Sequence, residues 1–299
     1  MELRNLQTFL KVAQLLNFTQ ASRELGYSQS NVSAQIRQLE QELGTPLFNR
    51  IGKHVSLTQQ GEMLLPYARQ VADAASALES ATRTEAELGG TVRFGIVESL
   101  YELLADEALL RYHARFPKVR IDLTVDASET LKAQAMRGRL DAICLIDSPL
   151  TPSDWRCQYR AEVPIVVVAG ASHPLANRGT LTPEDLAEQE WVLMETEAPY
   201  NSIPERVMAA HGLSMRTFLR LQSTQTARRL AQRGPFLTLL PQYSVRKSLE
   251  RGDLAQLNVP ELQQTQQVQL ALHLRRNLSP QLEGLLQICA DVLREHIPD

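Results

Sequence analysis

The chain has 299 residues, of which 43% are hydrophobic and 22% charged, and its formal net charge is −3. This length suffices for two or three domains, and the composition is that of an ordinary globular protein. No apolar run approaches the length of a membrane span and the first residues lack the core of a signal peptide, so we expect no membrane partner and a cytoplasmic location.

Three helices are expected near the N-terminus. An apolar stripe predicts the first over residues 3–16, with Leu3, Leu6, Leu10 and Ala13 on its inner face. The second is expected to begin with Thr19 as its cap and to end at Gly26, because glycine tolerates a left-handed backbone. Ser28 is expected to cap the third, whose apolar residues recur at the spacing of one helical face: Val32, Ile36, Leu39 and Leu43.

The opposite face of the third helix is polar. It carries amide, hydroxyl and guanidinium groups, which hydrogen-bond to base edges and phosphates: Gln29, Ser30, Asn31, Ser33, Gln35 and Arg37. A short hairpin turning at Gly52 follows, and we expect Arg50 and Lys53 to hold phosphates there. A polar helix face alone is more often simply solvated. The ordered set of helices and hairpin, however, predicts a winged helix-turn-helix domain over residues 1–58 that binds double-stranded DNA.

A long helix is predicted over residues 59–88. Leu57, Leu64, Val71 and Leu78 recur every seven residues, beside a parallel series of smaller residues, Gly61, Ala68, Ala75 and Thr82. This seam is typical of a coiled coil and favours pairing with a second copy of the chain. The alternative is that the helix packs on its own C-terminal domain. Residues 89–90, a Gly-Gly pair, are expected to break the helix and form a hinge.

Strands alternating with helices are predicted over residues 91–299. Apolar runs such as TVRFGIV, RIDLTVD and DAICLI are separated by helical stretches, and a second similar series begins near Val163. Such alternation indicates mainly parallel, doubly wound α/β structure, and two series indicate two lobes around a cleft.

Hydroxyl residues follow several of these strands. Ser99, Ser128, Ser202 and Thr224 each stand where a strand gives way to a helix. Ligands of open α/β sheets bind at such ends, and the positive ends of helices favour a small anion such as a carboxylate. Each hydroxyl could equally be an ordinary helix cap. Glu98 would repel a simple anion unless it pairs with Arg228, and it could instead hold the amino group of an amphoteric ligand.

The N-terminal segment closely resembles that of LysR-type transcriptional regulators. The resemblance rests on the sequences FTQASRELGYSQS, VSAQIRQLEQELG and TPLFNRIGKHVSLTQQGE, and on their position near residue 1. The remaining chain fits the layout of that family to its end. Two positions depart from the family pattern, because Ala34 stands where an arginine is usual and Ser30 where a proline is frequent.

The resemblance implies a ligand-responsive regulator. Its α/β domain would resemble type II periplasmic binding proteins, with strands near 163–169 and 267–274 crossing between lobe 1 (91–162 and 268–299) and lobe 2 (163–267). The effector would bind between the lobes near Ser99, Ser128, Ser202 and Thr224. We expect Glu98 to lie at the rim of this site or to pair with Arg228. The linker helix would dimerise, two dimers would form a tetramer, and an activator of this kind would contact RNA polymerase.

Two other functions are alternatives: an enzyme with a DNA-binding appendage, and a solute-binding component. The sequence lacks GxSxG, P-loop and GxGxxG motifs and any metal-ligand spacing, so we expect no enzyme activity, no cofactor and no metal site. The three cysteines, Cys144, Cys157 and Cys289, form no CxxC pair. Cys144 is most simply a buried apolar residue, although a redox switch between Cys144 and Cys157 stays open.

Overall fold

The computed structural model describes residues 1–51, 54–80, 84–194 and 199–297. In chain order it contains a small helical domain with a hairpin, a long helix, and an α/β domain built on one nine-stranded sheet. None of the helices in these ranges is long and apolar enough to cross a membrane.

The N-terminal domain consists of three helices and a hairpin: α1 (Leu3–Leu15), α2 (Phe18–Leu25), α3 (Gln29–Leu43), β1 (Phe48–Ile51) and β2 (His54–Leu57). The expected cap of α2 was wrong, because the Asn17 side chain, and not that of Thr19, accepts the backbone N–H of Gln20. Gly26 ends this helix at a φ of +70°, and the Ser28 hydroxyl accepts the backbone N–H of Asn31, as expected.

The core of this domain lies between α1, α3 and the hairpin. Val32, Ile36 and Leu39 are fully buried. Leu43, which the spacing assigned to the same face, is 39% exposed because the helix ends there and the chain turns away at Gly44. Phe48 of the hairpin packs edge-on against two other rings, those of Phe9 and Phe18, each with centroids 5.6 Å away.

The linker helix α4 (Gln59–Ser80) is shorter than expected. A 3-10 turn (Glu85–Glu87) follows the residues 81–83 that lie outside the described part, Thr82 of the predicted seam among them. The predicted hinge at 89–90 was wrong. Both glycines belong to strand β3 (Gly89–Ile96) and pair in parallel with Lys118 and Val119 of the next strand. Gly89 and Gly90 are therefore the first residues of the first strand of the α/β domain.

The α/β domain contains eight further strands: β4 (Lys118–Val125), β5 (Ala142–Asp147), β6 (Trp155–Gly170), β7 (Glu190–Met194), β8 (Arg216–Leu221), β9 (Phe236–Pro241), β10 (Leu254–Leu257) and β11 (Gln264–His273). The order across the sheet is β4-β3-β5-β11-β6-β9-β7-β8, and β10 pairs with β6. Its helices are α5 (Glu98–Leu104), α6 (Ala108–Arg115), α7 (Ser128–Met136), α8 (Pro183–Ala187), α9 (Ile203–Ala210), α10 (Thr224–Arg233), α11 (Gln242–Glu250) and α12 (Pro280–His296).

Two long antiparallel strands, β6 and β11, join the two halves of this sheet. On one side β3 pairs in parallel with β4 and β5, and on the other β7 pairs in parallel with β8 and β9. Along β6 the neighbours change near Ile165: residues 155–165 pair with β11, and residues 165–170 pair with β9 and β10. Each half is thus a lobe, and the last helix, α12, returns to pack on α6 of lobe 1.

Candidate functional site

The outer face of α3 presents most of the polar residues predicted to read DNA. Four of them, Gln29, Ser30, Asn31 and Arg37, are exposed, whereas Ser33 is half-buried. Ser30 and Arg37 lie on the side of the helix away from the buried Val32, and Gln29 and Asn31 are exposed in its first turn. The helix packs by its apolar side and offers a polar surface to solvent. Such a surface matches the requirements of a helix that enters the major groove.

Gln35 corrects the prediction for this face. Its side chain is only 8% exposed, and its Oε1 accepts a hydrogen bond of 2.7 Å from the Thr8 hydroxyl of α1. The position falls between two apolar residues of the helix and turns toward α1. Gln35 therefore belongs to the interior of the domain. Gln38, which the sequence reasoning left out, is exposed one residue beyond Arg37 and bonds to Glu42 at 3.3 Å.

Glu40 connects α3 to the hairpin. One oxygen of its carboxylate accepts the backbone N–H groups of Leu47, at 2.8 Å, and of Phe48, at 3.3 Å. The following helix closes on the same segment, since a Cβ at Gly61 would stand 2.2 Å from the carbonyl oxygen of Leu47. The hairpin is thereby positioned beside α3. Lys53 and the side chain of Arg50, predicted to hold phosphates, lie outside the described residues.

A cavity of about 250 Å³ lies between the two lobes of the α/β domain. Four of the six predicted effector residues line it: Glu98, Ser99, Ser128 and Thr224. Its other lining residues are Val97, Val125, Asp126, Ala127, Ile146, Met194, Tyr200 and Gln222. These side chains lie at the carboxyl ends of strands in both lobes, as expected for a ligand site of an open α/β sheet.

Ser202 and Arg228 do not line this cavity. Ser202 is exposed, and the nearby Tyr200 of a 3-10 turn (Pro199–Ser202) reaches the cavity in its place. Sequence periodicity gives no signal for so short a turn. The Arg228 guanidinium instead donates to Glu102 at 2.9 Å and to the carbonyl oxygen of Ser244 at 2.7 Å.

Three contacts cross from α5 of lobe 1 to lobe 2. Besides the pair of Glu102 and Arg228, the Glu98 carboxylate accepts the backbone N–H of Thr224 at 2.9 Å. The third is a hydrogen bond of 2.7 Å between the hydroxyls of Tyr243 and Ser99. Of the two positions expected for Glu98, the pairing with Arg228 was therefore wrong, because its carboxylate lies at the positive end of α10.

The charge of the cavity lining is negative. Glu98 and Asp126 are its carboxylates, and its described lining residues include neither lysine nor arginine. Burial raises the pKa of the Tyr200 hydroxyl, so this group stays protonated and can donate a hydrogen bond. The arrangement suits a ligand with an amino or hydroxyl group better than a simple carboxylate.

The cysteines are placed too far apart for the redox alternative. Cys144 and Cys157 flank β11, opposite Leu270 and Ala271 respectively. Two interstrand spacings separate them by about 10 Å, which exceeds the reach of a disulfide. Burial also raises the pKa of the Cys144 thiol well above its usual value, so the reactive thiolate is disfavoured. Among the described residues, no group of histidine, cysteine or acidic side chains could hold a metal ion.

Comparison with known proteins identifies both parts of the chain. Residues 3–62 match the family model of the bacterial regulatory helix-turn-helix protein, lysR family, and residues 85–294 match that of the LysR substrate binding domain. The regulator CbbR of Rhodospirillum rubrum is 29% identical over 95% of this chain and 94% of its own. The hydrogen peroxide-inducible genes activator of Pectobacterium carotovorum is also 29% identical, over 99% of this chain and 97% of its own.

Solved structures show the same fold. A full-length OxyR variant from Pseudomonas aeruginosa superposes with a TM-score of 0.74 at 20% identity, covering 98% of this chain and 95% of that one. Full-length CbnR, solved as a complex with its target DNA, gives a TM-score of 0.54 at 19% identity, covering 98% of this chain and 99% of that one. These relatives are transcriptional regulators and not enzymes. The chain belongs to the LysR family of bacterial helix-turn-helix transcriptional regulators.

Proposed function

We propose that a small effector bound between the two lobes changes how this regulator contacts promoter DNA. The observation that carries the proposal is the position of the cavity. It lies where Glu98 and Ser99 of lobe 1 contact Thr224 and Tyr243 of lobe 2. A ligand there competes with or strengthens these contacts and so alters the lobe angle. Such a ligand shifts DNA binding only if its affinity differs between the two arrangements.

The proposed DNA contacts lie on α3 and the hairpin. Base edges would be read by the exposed Gln29, Ser30, Asn31 and Arg37, with Ser33 at the side. Arg50 and Lys53 of the hairpin would hold phosphates. Gln35 is excluded from this set because its amide is occupied by Thr8. Ala34, exposed in the middle of the face, leaves room for a base methyl group where an arginine would offer a charged contact.

We propose an amphoteric effector. Its ammonium group would lie beside Glu98 and Asp126, and its carboxylate would face the positive end of α7 at Ser128, the first residue of that helix. The apolar wall formed by Val97 and Ile146 would contact its carbon chain. This choice accounts for a cavity that combines two carboxylates with a helix N-terminus.

The proposed assembly uses the exposed side of α4. Four large apolar residues are exposed along it: Met63, Tyr67, Val71 and Leu78. They correct part of the predicted seam, because Gly61 and Ala68 are buried and Leu64 packs against the core of the N-terminal domain. A stripe of this kind is costly in water and is covered when two copies pair. A tetramer would follow from two such dimers on an interrupted palindrome, in the cytoplasm where promoter DNA lies. Contact with RNA polymerase would follow if the regulator is an activator.

The effector site is tested by calorimetry and footprinting with a ligand found in a thermal-shift screen of amines, carboxylates and amphoteric metabolites. Ser99→Ala should weaken ligand binding and leave DNA affinity without ligand unchanged. The exposed Ser153→Ala is the matched control. Normal ligand binding by Ser99→Ala would contradict the proposed site. Binding of simple carboxylates alone in the screen would contradict the proposed ligand class.

The DNA face is tested separately by fluorescence anisotropy with operator fragments selected by the protein. Asn31→Ala should cost about 1–3 kcal/mol and relax base preference at one position of each half-site. Lys53→Ala should weaken all sequences alike and lower the salt dependence. Gln41→Ala, at the exposed far end of α3, is the control. Equal affinities for the three variants and the parent would refute the assignment.

A further inference from the structure

A second cavity lies where the N-terminal domain, the linker helix and lobe 1 meet. It has a volume of about 300 Å³ and receives side chains from α1, α2, α4, β3 and the segment after β11. Four of its lining side chains are cationic and one is a carboxylate: Lys11, Arg69, Arg93, Arg276 and Asp73. This balance is opposite to that of the cleft between the lobes.

Most of these charges have partners. Arg276 pairs with Asp73 and, at 3.0 Å, with Asp141, which lies behind the cavity and is almost fully buried. Arg93 stands 3.8 Å from the same Asp141 carboxylate, and its backbone N–H donates to it at 2.8 Å. Lys11 is paired with Glu24 on the surface at 3.0 Å. Asp73 is thus paired with Arg276, and Asp141 with both Arg276 and Arg93, although the Oδ1 atom of Asp141 accepts no hydrogen bond from a described residue.

Arg69 is the exception. Its side chain is only 7% exposed, and it has neither a hydrogen bond nor an ion pair to any residue within the described ranges. Burial and the neighbouring positive charges of Arg93 and Arg276 lower the pKa of its guanidinium to about 10, although the carboxylates of Asp141 and Asp73 partly offset this effect, so it is still a cation at neutral pH. A buried cation without a partner is strongly unfavourable. Three guanidinium groups therefore share two carboxylates, and one negative charge is missing.

We propose that this cavity binds a tetrahedral oxyanion, either inorganic phosphate or the phosphate group of a small metabolite, held by Arg69. The Nε atoms of Arg93 and Arg276 are likewise buried without an acceptor among the described residues. A phosphate has enough oxygens to accept from all three guanidinium groups, and charge-assisted bonds of this kind are strong. The anion would tie the linker helix to lobe 1 beside the DNA-binding domain.

Dimerisation through α4 leaves this cavity accessible. Val71 of the exposed apolar stripe lies about 200° around the helix from Arg69, on the opposite side. The oxyanion site is therefore separate from the proposed dimer seam, and it is also separate from the cleft between the lobes. It does not depend on the effector assignment.

The test is thermal unfolding of the full-length protein with increasing inorganic phosphate, at ionic strength kept constant with chloride. Phosphate should raise the melting temperature of the parent in a saturable manner. Arg69→Met should lose this rise, and should itself melt higher than the parent in chloride because an unpaired buried charge is gone. Arg229→Met, which removes an exposed arginine of α10, is the matched control and should keep the phosphate response.

A second variant keeps the proposal testable if Arg69→Met does not fold. Asp73→Asn removes the one carboxylate of the lining and should tighten phosphate binding several-fold in the same titration. A parallel titration with glycerol phosphate tests which form of phosphate the cavity accepts. A site for inorganic phosphate alone should respond only to inorganic phosphate, whereas a site that also accepts a phosphate ester should respond to both compounds. An equal phosphate response in the parent, Arg69→Met and Asp73→Asn, or no response in the parent, would overturn the proposal.

Discussion

The Glu98 carboxylate of lobe 1 accepts the backbone N–H of Thr224 at the first turn of α10 in lobe 2, at 2.9 Å. A negative side chain therefore occupies the positive end of a helix on the far side of the cleft. Glu98 therefore belongs both to the contact between the lobes and to the lining of the ligand cavity. Any ligand that bonds to Glu98 acts directly on the contact between the lobes.

Replacing this carboxylate is expected to loosen the two lobes. Glu98→Gln keeps the shape and removes the charge, which should lower the stability of the α/β domain by about 0.5–1 kcal/mol, a modest effect because the group is only half-buried. Thermal unfolding compared with the exposed Glu188→Gln measures it. Glu98→Gln should also weaken an amphoteric ligand, and a melting temperature equal to that of the parent would show that the contact contributes nothing to closure.

Gln35 is expected to affect stability and not base preference. Gln35→Ala leaves the buried Thr8 hydroxyl without its partner, which should cost about 1–3 kcal/mol in urea unfolding of the N-terminal domain. The double variant Thr8→Val with Gln35→Leu removes both polar groups and should recover part of that loss. Where Gln35→Ala still folds, its preferred operator should equal that of the parent, and a changed sequence preference would return Gln35 to the DNA-binding face.

The linker helix is expected to lose its partner when a charge is placed in its exposed stripe. Val71 is 45% exposed and Leu78 79% exposed in the single chain, so both are available for contact. Val71→Asp would bury an unpaired carboxylate in a dimer seam and should shift the light-scattering mass toward that of a monomer. Gln60→Asp, on the exposed polar side of the same helix, should leave the mass unchanged. A full-size assembly from Val71→Asp would remove this helix from the interface.

Acid is expected to destabilise the protein through His173. Burial lowers the pKa of this imidazole below its ordinary value of 6.5, and its Nδ1 accepts the backbone N–H of Leu175 at 3.2 Å. Below pH 6.5 the unfolded chain takes up a proton that the folded chain resists, so stability is complete above that pH and falls as pH drops toward the folded pKa. Melting temperatures from pH 7.5 to 5.0 should fall less steeply in His173→Asn, whereas the exposed His113→Asn should follow the parent.

Hydrophobic periodicity predicted the regular strands and the amphipathic helices. Buried strands such as β5 and amphipathic helices such as α3 repeat at 2 or 3.6 residues, and their existence followed from the sequence. The end of α4 did not, because the helix was predicted to continue to residue 88, whereas a 3-10 turn (Glu85–Glu87) and the start of β3 at Gly89 are found there. The glycine pair at 89–90 fits a hinge as well as a strand end, and only the pairing with Lys118 and Val119 decides between them.

The sites were harder to predict wherever contacts between distant segments decide the role of a side chain. Gln35 has the same chemistry as Gln29, and only the position of Thr8 on another helix turns it inward. Arg228 lies 126 residues from its partner Glu102, which no local pattern connects. The oxyanion cavity combines side chains from five elements of the chain. Hydroxyls at strand ends, by contrast, followed from topology alone, and Ser99, Ser128 and Thr224 do line the cleft.

The central position of β11 governs the order in which the protein can be completed during synthesis. This strand lies between β5 and β6, and α12 after it supplies much of the core of lobe 1, so the first strands of that lobe must wait for residues 264–296. The buried core cluster of the N-terminal domain, by contrast, is built from residues between Leu6 and Ala68. During synthesis the DNA-binding domain can therefore fold first, whereas the sheet of the α/β domain is completed only when β11, its last strand in the chain, has been synthesised.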